Sequence, residues 1–99
     1  MRAAGTRASL LLAERHQLCA NAFVSLRIWR VPKPVRASAH DFKYALAYIV
    51  SGVCVLRYDN EAGKGDHRHL GRNESAYRFT SPERLLMDFW RDVDRWRPE

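Results

Sequence analysis

Two stretches of this chain alternate apolar and polar residues with a period of two, and that alternation limits the fold more than any other feature. In AFVSLRIWRV, Val24, Leu26 and Ile28 fall on one side of an extended chain, while Phe23, Ser25, Arg27 and Trp29 fall on the other. Pro32 and Pro34 end the run, because neither can donate to a strand ladder, and KPVRASAHD is then a loop. In FKYALAYIVSGVCVLRYDN, the residues Phe42, Tyr44, Leu46, Tyr48 and Val50 alternate up to Ser51-Gly52. That pair is a two-residue turn in which glycine accepts a positive φ, and Val53 to Tyr58 return as the second arm of a hairpin.

Around this centre, residues 8–18 (ASLLLAERHQL) carry an apolar run too short to favour a helix and read as a strand. AYRFT reads as a short final strand. Thr80-Ser81-Pro82-Glu83 has the form of a capping box, with Thr80 the cap, Pro82 in the first turn and Glu83 reaching back. Leu85 or Leu86, Phe89, Val93 and Trp96 recur at helical spacing and should lie on the sheet, with Asp88, Arg91, Asp92 and Arg95 on the wet side. The expected fold is α+β: an antiparallel sheet of four to five strands with one long C-terminal helix packed on it. Ninety-nine residues leave room for one core, so residues 1–99 are read as a single domain, frayed over residues 1–6.

A hydrophobic content of 46% excludes a disordered chain. The formal charge of +6 points to polyanions as partners. Most of the cations are arginines, whose planar fork grips phosphate at two points as lysine cannot. No stretch approaches the ~20 apolar residues of a membrane span, and SLLLA, ended by Glu14, Arg15 and His16, is far shorter than a signal-peptide core. Cys19 and Cys54 stand apart in apolar surroundings and read as buried, reduced thiols of a cytoplasmic protein.

Chemistry concentrates in RYDNEAGKGDHRHLGR, residues 57–72. Gly63 and Gly65 make the turn, and if DHRHL is extended, His67 and His69 project to one side with Lys64, Asp66 and Arg68 nearby. Three readings compete. An imidazole can accept the proton of an RNA 2′-hydroxyl while Lys or Arg stabilises the phosphorane, without a metal. His67 and His69 with Asp59, Glu61 or Asp66 could instead hold a divalent cation, but HxH is a weak signal and Lys64 and Arg68 would repel the ion. The third reading is a solvated loop with internal ion pairs, such as Glu61 with Lys64 or Asp66 with Arg68. Gly63-x-Gly65 is no P-loop, and DNEAG lacks the ligand pattern of a Ca²⁺ loop. Elsewhere, Trp29, Arg27, Phe23 and Lys43 form a candidate aromatic-basic surface for unpaired bases, while His16 and His40 read as structural.

HDFKYALAYIVSGVCVLRYDNEAGKGDHRH followed by YRFTSPERLLMDFWRDVDRW resembles the TumE-like toxins of bacterial toxin–antitoxin modules, over roughly residues 20–97. The most distinctive parts are Phe42-Lys43-Tyr44, Arg57 to Glu61, Gly63 to His69 and Tyr77-Arg78-Phe79. The resemblance implies a growth-inhibiting toxin neutralised by a protein partner, typically encoded beside it and of the helix-turn-helix, DNA-binding kind. The combined expectation is a toxin acting on RNA, as a ribonuclease or translation inhibitor. Lys64, Asp66, His67 and His69 are the reactive cluster, Arg57, Arg68 and Lys43 hold phosphate, and Asp59 or Glu61 orients a His or Lys. Neither metal nor cofactor is expected and no membrane association; a homodimer stays open. The alternative is a non-enzymatic module that binds nucleic acid or the antitoxin.

Overall fold

A computed structural model describes residues 7–98; the fraying expected over residues 1–6 lies outside them. Six strands, β1 (Ser9–Cys19), β2 (Ala22–Arg30), β3 (Phe42–Val50), β4 (Val53–Asp59), β5 (His67–Leu70) and β6 (Asn73–Ala76), precede one helix, α1 (Pro82–Arg95). Each strand is antiparallel to the next, and their spatial order is their chain order. The architecture is the expected α+β sheet and helix, with more strands than the four to five read from the sequence. The charged stretch itself folds back as β5 and β6, whereas Tyr77 to Thr80 are not strand and lead across to α1.

Alternation explains the core. Val24, Leu26 and Ile28 of β2, Tyr44 and Leu46 of β3, and Leu56 and Tyr58 of β4 are buried against Leu85, Phe89 and Val93 of α1. The β3–β4 turn is made by Ser51 and Gly52 at φ 51° and 78°, the left-handed pair that matches the twist of a hairpin. Ser81, not Thr80, caps the helix: its backbone is extended and its Oγ accepts from the Arg84 N–H at 3.0 Å, with Pro82 as the first helical residue.

Two helix residues expected on the wet side turn inward. Asp88 is buried and accepts from the Tyr77 hydroxyl at 2.6 Å, while Asp92 accepts from the Tyr58 hydroxyl and from Arg68 at 3.0 Å. They lie on the border of the apolar stripe, where the hydroxyls of Tyr58 and Tyr77 need acceptors. Burial, and then Asp92, push the Tyr58 hydroxyl up to about 12. Cys19 and Cys54 are exposed, contrary to expectation; Cys54 aligns with Ile49 on the face that α1 does not cover.

The loop from Val31 to Asp41 is fastened to the start of β5. Asn60 is fully buried, accepts from the Tyr44 N–H at 3.0 Å and donates to the Phe42 carbonyl at 2.8 Å. Gly65 has φ 85°, and a Cβ there would stand 2.8 Å from the Ala37 carbonyl oxygen. Gly65→Ala therefore combines a left-handed backbone with a clash against main chain, and should cost about 2 kcal/mol, or roughly 10 °C in Tm. Thermal unfolding reads this directly, and an unchanged Tm would show that the two loops are not packed together.

Candidate functional site on the open sheet face

Register decides which groups meet. β4 pairs with β5 so that Arg57 stands opposite His69 and Asp59 opposite His67, and β5 pairs with β6 so that His69 stands opposite Glu74. Cross-strand partners share a face. Arg57, Asp59, His67, His69 and Glu74 thus gather on the side of the sheet away from α1. The two imidazoles lie edge to face with centroids 4.9 Å apart. Lys64, from the preceding turn, brings Nζ to 3.4 Å from Glu74 Oε1. Arg57, Asp59, Lys64, His67 and His69 line an open cavity of about 400 Å³.

Within the cluster the groups differ in access. His67 is 5% exposed; its Nδ1–H donates to the Gly65 carbonyl at 3.0 Å and its Nε2 lies 3.2 Å from Asp59 Oδ1. Asp59 is 3% exposed, and its Oδ2 receives the Arg57 Nε–H. Its Oδ1 accepts no hydrogen bond, because the His67 contact has ion-pair distance without hydrogen-bond alignment. The bond to Asp59 holds the Arg57 guanidinium above its ordinary pKa, against the opposing effect of burial. The His69 side chain is 34% exposed, with Nε2 at 3.1 Å from Glu74 Oε2. One ligand atom each from His67, His69 and Glu74 lie within 4.8 Å of one another.

Two residues expected in the cluster are elsewhere. Asp66 precedes His67 and faces the other way, accepting from Ser38 Oγ and Tyr44 OH at 2.7 Å each and meeting His40 Nε2 at 2.6 Å. Burial opposes its ionisation, but the bonds from Ser38, Tyr44 and His40 outweigh it and lower the carboxyl pKa. The same carboxylate, after burial itself, raises the Tyr44 hydroxyl well above its usual value. Arg68, between the two histidines, turns to the helix side and pairs with Asp92 at 3.0 Å. The expected pairs Glu61–Lys64 and Asp66–Arg68 are replaced accordingly. Glu61 bridges Lys43 (3.8 Å) and Arg57 (3.9 Å), so it reaches cations and not a histidine. Asp59 is the carboxylate beside His67. Glu74 was not singled out from the sequence, although a two-residue turn at Gly71-Arg72 would set it opposite His69.

The open face continues toward β1. Ala45 and Ala47 of β3 lie beside Asp59 and Arg57, so the floor there is low. Beyond it stand Arg27 and Trp29, with the Lys43 ammonium 4.7 Å over the Trp29 ring and the Arg15 guanidinium 3.8 Å over Phe23. A larger recess of about 870 Å³ near the end of α1, lined by Arg72, Trp96 and Arg97, contains no histidine.

Against known families, the model of the toxin TumE matches residues 6–97, nearly the whole chain. The chain belongs to the TumE toxin family. No curated protein and no solved structure matches it. TumE membership makes the chain the toxin of a toxin–antitoxin module and implies an antitoxin partner. Among the described residues, no helix is long and apolar enough to cross a membrane.

Proposed function

We propose that this TumE toxin acts on RNA through the open sheet face, cutting a phosphodiester with His69 as the proton-transfer group. The observation that carries the reading is a partly exposed imidazole on a basic face, beside a carboxylate and two cations. His69 would take the proton of a 2′-hydroxyl as that oxygen attacks the phosphorus, and the P–O5′ bond would break with water giving the leaving oxygen its proton. Glu74, 3.1 Å away, would stabilise the imidazolium so formed. Arg57 and Lys64 would meet the phosphate whose charge grows in the transition state. His67 is buried, and its part is to position Asp59 and Arg57 and not to touch substrate. The low alanine floor, leading to Trp29 and Arg27, suits a single strand whose bases stack on the indole. An antitoxin laid over this face, of the DNA-binding helix-turn-helix kind, would neutralise the toxin by covering the cluster.

One observation favours a second reading, a module that binds without cutting: Arg57, Lys64 and Lys43 each already have a carboxylate partner. Purified toxin incubated with RNA separates the two. The first reading expects discrete fragments that accumulate with time. Intact RNA that nevertheless comigrates with the protein in a salt-sensitive complex would establish the second.

A further inference from the structure

Three side chains of the cluster are each secured by one atom. His67 Nδ1 is tied to the Gly65 carbonyl, Asp59 Oδ2 to Arg57, and Glu74 Oε1 to Lys64 at 3.4 Å. What remains turned toward the middle is His67 Nε2, Asp59 Oδ1, Glu74 Oε2 and His69 Nε2. They form two close nitrogen–oxygen contacts, of 3.2 and 3.1 Å. Asp59 Oδ1 is buried and accepts no hydrogen bond. A bare carboxylate oxygen out of reach of water is costly, and a native chain rarely keeps one without something positive beside it.

Spacing and tautomer both suggest what that positive species is. In a tetrahedral zinc site with bonds near 2.1 Å, ligand atoms stand about 3.4 Å apart. The His69–Glu74 contact of 3.1 Å is near that, and His67, His69 and Glu74 offer ligand atoms within 4.8 Å of one another. With Nδ1–H committed to a backbone carbonyl, neutral His67 carries its lone pair on Nε2, the arrangement by which metal-bound histidines are usually oriented.

We propose that His67, His69 and Glu74 bind a divalent transition-metal ion of the zinc class, and that the buried Asp59 Oδ1 is the carboxylate oxygen its charge compensates. Three protein ligands leave a fourth position open to solvent. The cations that counted against a metal in the sequence do not oppose it in this geometry: Arg57 and Lys64 hold the carboxylate oxygens that face away from the ion, and so orient the others. Two imidazoles and a carboxylate favour zinc or cobalt over magnesium or calcium, which prefer oxygen. An ion there would take the lone pair that the proton-transfer reading gives to His69. The proposal is therefore independent of that reading and replaces His69 as the free base wherever the ion is bound; it can be tested with no RNA present.

The test is titration of the chelator-stripped toxin with Co²⁺, followed by visible absorption and by calorimetry with Zn²⁺. One ion per chain is expected, with the intense visible bands of tetrahedral cobalt, displaced by Zn²⁺ but not by Mg²⁺. His69→Ala and Glu74→Ala, at a partly exposed and an exposed position, should each weaken binding roughly tenfold or more, and Asp59→Asn about tenfold through the lost negative charge. No cobalt spectrum and no zinc heat from folded toxin would overturn the proposal. So would an affinity unchanged in both His69→Ala and Glu74→Ala. If the ion binds with these losses but RNA stays intact, the metal site stands and the reading as a nuclease fails.

Discussion

His69→Ala is expected to lower RNA cleavage by about 10²- to 10⁴-fold, the usual worth of a positioned proton-transfer group, while leaving Tm within a few degrees of the parent. The reason lies in its surroundings. His69 is partly exposed, and its close neighbours are His67 and Glu74, both on the same open face, so its removal leaves no buried polar atom stranded. His67→Ala should behave differently. It takes away a buried ring that meets both the Gly65 carbonyl and Asp59, and should cost stability as well as activity, by roughly 2–3 kcal/mol. Measured side by side with thermal unfolding, the two variants separate a group that meets substrate from one that holds the site together. Full cleavage by folded His69→Ala would remove the proton-transfer role.

Asp66→Ala should do the opposite, unfolding easily but cutting normally while folded. The Asp66 carboxylate is the common acceptor for Ser38, Tyr44 and His40, and it links the Val31–Asp41 loop to the start of β5. Removing it leaves those partners without their acceptor, at a cost of about 3 kcal/mol, or roughly 15 °C in Tm at neutral pH. The pH dependence has a definite sign. The folded-state pKa of Asp66 is lowered, so its stabilisation is fully present above the unfolded carboxylate pKa of about 4 and is lost as pH falls through the lower folded value. The gap in stability between Asp66→Ala and the parent should therefore be widest at neutral pH and narrow in strong acid. Unchanged stability with cleavage lost would return Asp66 to the reactive cluster.

The sheet was legible because its central strands alternate cleanly: Val24, Leu26 and Ile28, then Tyr44 and Leu46, already mark the side that the helix covers. β5 and β6 were not, since HRHL and NESA contain almost no apolar residues and owe their pairing to β4 rather than to a pattern of their own. The same cause accounts for the site. Period two puts His67 and His69 together, but it also sends Asp66 and Arg68 to the opposite face, and a dense run of charged letters conceals that split. Glu74 lies beyond the turn at Gly71 and joins His69 only once the register of the last hairpin is known. Asp88 and Asp92 were assigned to the helix's wet side, whereas the hydroxyls of Tyr77, in the crossing to α1, and of Tyr58, in β4, reach them.

RNA is expected to sit on the open face of the sheet. An NMR titration of the toxin with a short single-stranded RNA, 2′-O-methylated so that it cannot be cut, tests this most directly. The expected shifts fall on the His67 and His69 rings, the Arg57 Nε–H and the Trp29 indole N–H, and fade with added salt. Shifts confined to Arg84, Arg91 and the rest of the helix side, with the histidines silent, would contradict it.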